Sequence, residues 1–504
     1  MTRPVDKVIK NIEKYLPLND IEKSGAILDK LKISLDYTFK NKTVLVAYGG
    51  GKDSSFILAY VRYLQLKALL LQKSTFNIRI IINRHSHMSS TVIENIHNVL
   101  SILELYEDKK VEILLIDDDN IQILNNDLTI INHLMPKWII ERDRSDMLMA
   151  GHLTQGEGRR IYCDACNAYM QKGEALSITK NNGVDIIITG DSLKEIVYYK
   201  NWINKLYNFI TSKNDEIKNQ NFIDYMEKID IIAQEYFNYI HCQKCKYKMQ
   251  NLTKYKVKLF SFYNYIPYNM SAHRNIIDKL FKFKFDIDNF TFCFTESDCS
   301  LPALMAHLRG LKVEKLYKRT YFEGVQEYIE QLALPLMKQK KIPTDLIKKQ
   351  QSSYSSDKKV NQIRIKISKY YEKILHLNED NFIAMLYSPF ASNGKNLELY
   401  INSEKPELIN YIARIKVIIS DSNSKMMDID SENIKILEKT TGLTLQEMQY
   451  LYTKPLFSCK TIMTKDRSTF NIINQLHQND PYKAIIKTKH FPNGLIIEEE
   501  ISGR

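Results

Sequence analysis

Short apolar runs separated by amphipathic stretches recur along the first two thirds of the chain. Thr43–Tyr48 is the first strand-sized run; three glycines follow it, then an amphipathic stretch, Ser54–Leu71. Phe76–Asn83 predicts a second strand, and a helix is expected from about Ser90 to Tyr106, its start marked by Thr91 and Glu94 at capping-box spacing. Lys110–Ile116 predicts a third strand, Asn167–Lys180 a helix and Asp185–Thr189 a fourth strand. Strands alternating with helices of this length predict an α/β fold, a doubly wound parallel sheet of Rossmann-like type.

The pattern changes elsewhere. Residues 1–40 read as charged helix and connector. From about Trp202 to Met249 the chain turns helical and rich in Lys, Asn and Tyr, as an insertion would; strand and helix patterning resumes from Tyr255 to about Leu334. Residues 338–359 hold seven Lys against two Asp and a polar run, which predicts a basic linker. The expected division is therefore an N-terminal helical segment (1–40), an α/β domain (41–337) with an insertion at about 202–250, the linker, and a C-terminal α+β accessory module (360–504). That module should carry helices near Val360–Leu377 and Thr444–Leu456, and a hairpin, Lys483–Ile501, turning at Pro492–Asn493–Gly494. No internal repeat is visible.

With 504 residues, 44% hydrophobic and 26% charged, the chain has ample material for a core, which excludes disorder. No apolar run reaches the roughly 20 residues of a membrane span, and the start, MTRPVDKVIKNIEKYL, lacks the apolar region of a secretion signal. A cytoplasmic protein with no membrane partner is expected. The net charge of +12 points toward an anionic substrate, but only 15 of the 71 basic residues are arginine, the residue best suited to bidentate phosphate and base contacts.

The segment Val44-Leu-Val-Ala-Tyr-Gly-Gly-Gly-Lys-Asp-Ser-Ser55 carries the most chemistry. A strand runs into three glycines and then a helix, so the backbone can approach an anion while free N–H groups and the helix dipole hold phosphate oxygens. Ser54 and Ser55 add hydroxyls and Lys52 a charge. The spacing fits neither a Walker loop nor a GxGxxG fingerprint.

This segment resembles the PP-loop, SGGxDS, of the N-type ATP pyrophosphatases, with Gly49 where the family has its first Ser and Gly50, Gly51, Lys52, Asp53 and Ser54 matching the rest. A second block, Cys163-Asp-Ala-Cys166-Asn167 with Lys172–Gly173, Gly183 and Gly190–Asp191, is similar to the PP-loop tRNA thiolation enzymes; Asp191 stands where that branch usually has His. The resemblance covers about 43–195, more weakly to about 315. It implies ATP binding by Tyr48, Gly49, Gly50, Gly51, Asp53, Ser54, Ser55, Asn83, Arg84, His85, Gly190 and Asp191, with catalysis by Lys52, Asp53 and Cys166. The implied reaction is adenylation of an acceptor with release of pyrophosphate, then sulfur transfer; an amide- or amidine-forming ligase using ammonia or an amine is the alternative, and a non-catalytic ATP-binding regulator a third reading. In the thiolation branch the cysteine matching Cys166 carries persulfide sulfur or ligates an iron–sulfur cluster.

Cys163, Cys166, Cys242 and Cys245 form CxxC-x75-CxxC, two chelating pairs that would complete a tetrahedral Zn²⁺ site; an iron–sulfur cluster, a free catalytic Cys166 and unrelated thiols are the other readings. His241 reads as a neighbour. Arg84-His85-Ser86-His87 follows the second strand at its carboxyl end, where doubly wound sheets bind ligands. Arg142, Arg144, Asp146, His152, Arg159 and Arg160 concentrate in an expected loop with Gly151, Gly156 and Gly158, a candidate clamp for an anionic substrate. Asp191, Ser192 and Glu195 would hold Mg²⁺ or cap a helix. Thr295–Cys299 is a further polar cluster. The expected partners are ATP with Mg²⁺ and a small-molecule or carrier-bound acceptor; tRNA and a homodimer are the alternatives.

Overall fold

The computed structural model describes residues 4–125, 129–130, 134–157, 163–213, 222–241, 247, 251–284, 300–339, 342, 344–421, 427–457, 471–480, 483–490 and 493–502. Its centre is a six-stranded sheet in the order β4-β3-β2-β1-β5-β6. The strands are β1 (Thr43–Ala47), β2 (Asn77–Asn83), β3 (Val111–Asp117), β4 (Asn120–Leu124), β5 (Ile186–Ile188) and β6 (Lys258–Leu259). β1 lies in the middle, parallel to β2 on one side (Val44 opposite Ile78) and to β5 on the other (Val44 opposite Ile186). All pairs are parallel except β3–β4, an antiparallel edge hairpin that the apolar pattern did not announce because β4 is half exposed and short.

Alternation explains the layering. Val44, Val46, Ile78, Ile80, Ile82, Ile113, Leu115, Ile186 and Ile188 point to one face, where they meet α1 (Pro4–Glu13), α2 (Leu18–Ser34), α3 (Lys52–Gln72) and α4 (Ser90–Ile102). Leu45, Ile81, Leu114, Ile116 and Ile187 point to the other, against α6 (Cys163–Thr179) and the start of α8 (Phe222–Ile240). Helices on both faces of a mostly parallel sheet make the α/β, Rossmann-like class plain. α3 is the one described helix long and apolar enough to cross a membrane, and most of it is buried in this sandwich.

Three sequence expectations are corrected. α4 is capped by Ser89, whose hydroxyl accepts the Val92 N–H at 3.3 Å, and not by Thr91; Glu94 pairs instead with Lys284. The stretch expected as an Arg-rich loop is helix α5 (Lys137–Thr154), whose apolar residues Met147–Ala150 and Leu153 are buried. Charges crowded at its start obscured the helical period. The described residues of the expected linker, 338–359, are mostly helical: Leu334–Gln339, Thr344–Ser353 and the first turn of Asp357–Leu375, with Gln350 and Tyr354 buried.

A further apolar cluster runs without a break from α5, α7 (Leu193–Thr211) and α8 through helices Ser300–Lys315 and Tyr321–Tyr328 to the helices beyond residue 360. The expected insertion therefore packs with the C-terminal helices. The expected hairpin is present as β7 (Lys483–Lys489) and β8 (Ile496–Ser502), Lys483 opposite Ser502. Glu499 of β8 ties it to Arg309 and Lys312.

Candidate active site

The strand order reverses between β1 and β5, and this is the crevice where open α/β sheets bind ligands. The glycine loop fills it. Gly50 adopts φ +75°, and a Cβ there would lie 2.6 Å from Cγ1 of Ile96, so both conformation and space demand glycine. Gly51 is the N-cap of α3, and Gly49 faces open space. From the β5 side, a Cβ on Gly190 would come 3.0 Å from the Ser54 amide nitrogen: the two loops are in backbone contact.

The side chains of the loop are turned inward or onto each other. Tyr48 is buried, its OH 3.2 Å from Ser55 Oγ, so it offers a ligand only backbone. Ser54 and Ser55 donate to the Gly51 carbonyl at 3.2 and 2.8 Å. Lys52, 5% exposed, donates from Nζ to Asp53 Oδ1 at 2.6 Å and to Tyr268 OH at 3.1 Å. Asp53 also receives His273 Nδ1 at 2.6 Å and Tyr268 OH at 3.2 Å to each oxygen. Burial alone would raise the Asp53 pKa; His273 and Lys52 outweigh it and hold the carboxyl at about 2. Neither Tyr268 nor His273 belongs to any motif, and nothing in the local pattern signals them.

A second group forms where β2 ends. Asn83, Arg84, His85, His87, Arg142, Asp143, Asp146, Ala165, Cys166 and Tyr169 line a narrow cavity with room for about one water molecule. Arg84 forks onto Asp117 with Nε to Oδ1 at 2.8 Å and Nη2 to Oδ2 at 2.6 Å, both side chains essentially sealed from solvent. Arg142 pairs with Asp143 at 2.7 Å and lies 3.7 Å over the Tyr169 ring. Asp143 in turn accepts Ser86 N–H and Oγ–H. Asp146, 3% exposed, takes His241 Nε2 at 2.5 Å on Oδ1, while its Oδ2 has no hydrogen-bond partner among the described residues. Burial pulls the His87 pKa down to about 3.

Of the residues expected to clamp a substrate, Arg142 lines this cavity. Arg144 points the other way and donates to the Gly442 carbonyl at 2.8 Å, and His152 stacks near Phe390. Arg159 and Arg160 lie outside the described residues, as do Cys242, Cys245, the Cys163 side chain and Thr295–Cys299. Among the described residues no three His, Cys, Asp or Glu side chains converge as a metal site would need. Ser192 and Glu195 form a capping box at the start of α7: Ser192 Oγ accepts Glu195 N–H at 3.3 Å and the Glu195 carboxylate accepts Ser192 N–H at 2.9 Å. Asp191 sits just before that cap, and its charge adds to burial in raising the Glu174 carboxyl to about 8. Comparisons of the chain with family models, with curated proteins and with solved structures found no match.

Proposed function

We propose that the protein binds ATP in the β1–β5 crevice and adenylates an acceptor, releasing pyrophosphate. An acceptor oxygen attacks the α-phosphorus, the bond to the bridging oxygen of pyrophosphate breaks, and AMP remains on the acceptor until a sulfur or nitrogen nucleophile displaces it. One observation carries the reading: the glycine turn, with left-handed Gly50 and N-cap Gly51, stands at the N-terminus of a central helix at the point where the strand order reverses. Such a turn presents backbone N–H groups and a dipole to phosphate, and its catalytic return would come from positioning and charge stabilisation. ATP would enter with Mg²⁺ on its phosphates.

Sulfur transfer is favoured as the second step because Cys166 lines the cavity beside Arg142 and the residues following β2, on the same carboxyl edge of the sheet as the loop. Zinc or an iron–sulfur cluster on the cysteine pairs remains a proposal from their spacing alone. A small or protein-borne acceptor is preferred to tRNA, given the shortage of arginine. The test is product analysis with ATP, Mg²⁺ and a panel of acceptors including tRNA. AMP and pyrophosphate are expected, with turnover strongly reduced by Asp53→Ala; ADP and phosphate as products would refute the assignment. Tight, salt-sensitive tRNA binding with tRNA-stimulated AMP release would make tRNA the acceptor.

A further inference from the structure

We infer that His273, assisted by Tyr268, is a positioning residue that holds the Asp53 carboxylate so that Lys52 can leave it for the phosphates of an arriving nucleotide; the inference rests on the ATP reading above. Lys52 is almost fully buried, and its ammonium donates to the adjacent Asp53 and to Tyr268 OH. A phosphate that draws the ammonium away leaves Asp53, a carboxylate about one-third exposed, in need of other donors on its protein side, because its inward oxygen has lost the charge that balanced it. Those donors exist. His273 Nδ1 is 2.6 Å from Oδ1, and Tyr268 OH reaches both carboxylate oxygens at 3.2 Å.

The imidazole is built to stay where it is. It is 1% exposed and stacks on Phe56 of α3 with ring centroids 4.0 Å apart, while Tyr268 meets it edge-on at 4.8 Å and Tyr263 lies 6.0 Å away. The charged groups that face it are Asp53 and Lys52 from α3 and Asp20 from α2. Burial pulls its pKa down and Asp53 only partly opposes this, so the ring is neutral at pH 7. With Asp53 ionised, Nδ1–H donates. His273 therefore orients the carboxylate without cancelling the charge that Lys52 balances. Because His273 is 220 residues away in the chain, the contact also fastens the segment after β6 to the glycine loop.

The experiment uses the full-length protein and a non-hydrolysable ATP analogue with Mg²⁺, read as Kd, alongside AMP formation from ATP. An Asn side chain can place its N–H near the imidazole Nδ1 position, whereas Gln reaches toward Nε2. His273→Gln should weaken analogue binding about tenfold, the loss of one charge-assisted hydrogen bond. His273→Asn should recover most of that loss. In an Asp53→Asn background the Gln effect should vanish, since the coupling runs through the carboxylate. Equal losses for Asn and Gln that persist in that background would make His273 a packing residue and overturn the inference, as would wild-type affinity in His273→Gln. Wild-type protein that neither binds the analogue nor forms AMP would instead bring down the ATP reading itself, and this inference with it.

Discussion

Around the glycine loop the charges are near neighbours: Lys52 and Asp53 are consecutive, their serine companions bond back to Gly51, and Tyr268 and His273 come from afar. Around the cavity they come from everywhere. Arg84 ends β2, Asp117 ends β3, Arg142, Asp143 and Asp146 lie on α5, Cys166 and Tyr169 on α6, and His241 follows α8. The loop is a mostly local device whose charges compensate one another. The cavity is a tertiary device; the Arg84–Asp117 pair braces the carboxyl edge, while Asp146 Oδ2 has no hydrogen-bond partner among the described residues. The loop leans on one distant segment, the one that supplies Tyr268 and His273, whereas the cavity draws on five and depends on each of them.

That contrast can be broken most sharply at the brace. Asp117→Ala strands the Arg84 guanidinium in a sealed environment, and urea unfolding should show a loss of about 3–5 kcal/mol. A loss below about 1 kcal/mol would mean that the pair is solvated and does not brace the cavity. At the loop, Gly50→Ala forces a side chain into the left-handed region and against Ile96. The expected cost is about 2 kcal/mol, accompanied by loss of nucleotide binding. Stability close to wild type there would show that the turn can relax.

Helix α6 joins the two regions, with Cys166 near its start and Glu174 beside Asp191 further on. Burial first, and the Asp191 charge second, hold the Glu174 carboxyl at about 8 in the folded protein against an ordinary 4.5. The folded state therefore binds the extra proton between those values, and the stability this gives is complete below about 4.5 and lost as pH rises through about 8. Glu174→Gln should flatten the fall in melting temperature between pH 5 and 9; an unchanged slope would place the titration elsewhere. The smallest effect on folding is expected at Cys166→Ser, within about 0.5 kcal/mol of wild type. AMP release should persist in that variant while thiolated product disappears. Thiolated product formed at the wild-type rate would remove Cys166 from the chemistry.

Some of this was legible from residue order and some was not, for reasons visible at particular positions. Ile78, Ile80 and Ile82 alternate as a strand must, and the glycines after Tyr48 forced a turn into a helix; both signals are complete within a dozen residues. Helix α5 was hidden because Glu141, Arg142, Asp143 and Arg144 interrupt the apolar period with charges that look solvated, yet Arg142 and Asp143 neutralise each other out of water. The same composition misled at residues 338–359, where lysines dominate but Tyr354 and Gln350 carry the packing. Arg142 and Arg144, two residues apart on α5, engage opposite regions of the protein, and spacing alone could not sort them.

The sequence by itself determined the parallel α/β sheet, the glycine turn at the end of its central strand and the closing hairpin. Each of these follows from local rules: the period of apolar residues, the backbone freedom of glycine, and the turn at Asn493–Gly494. Only the tertiary structure decided that His273 and Tyr268 hold Asp53, that Arg84 is spent on Asp117, that Arg142 and Cys166 share a cavity, and that the C-terminal helices share a core with α5. Those facts rest on contacts between residues tens to hundreds of positions apart. Such contacts are set by which surfaces the folded layers bring together out of water, and no stretch of sequence read alone contains both partners.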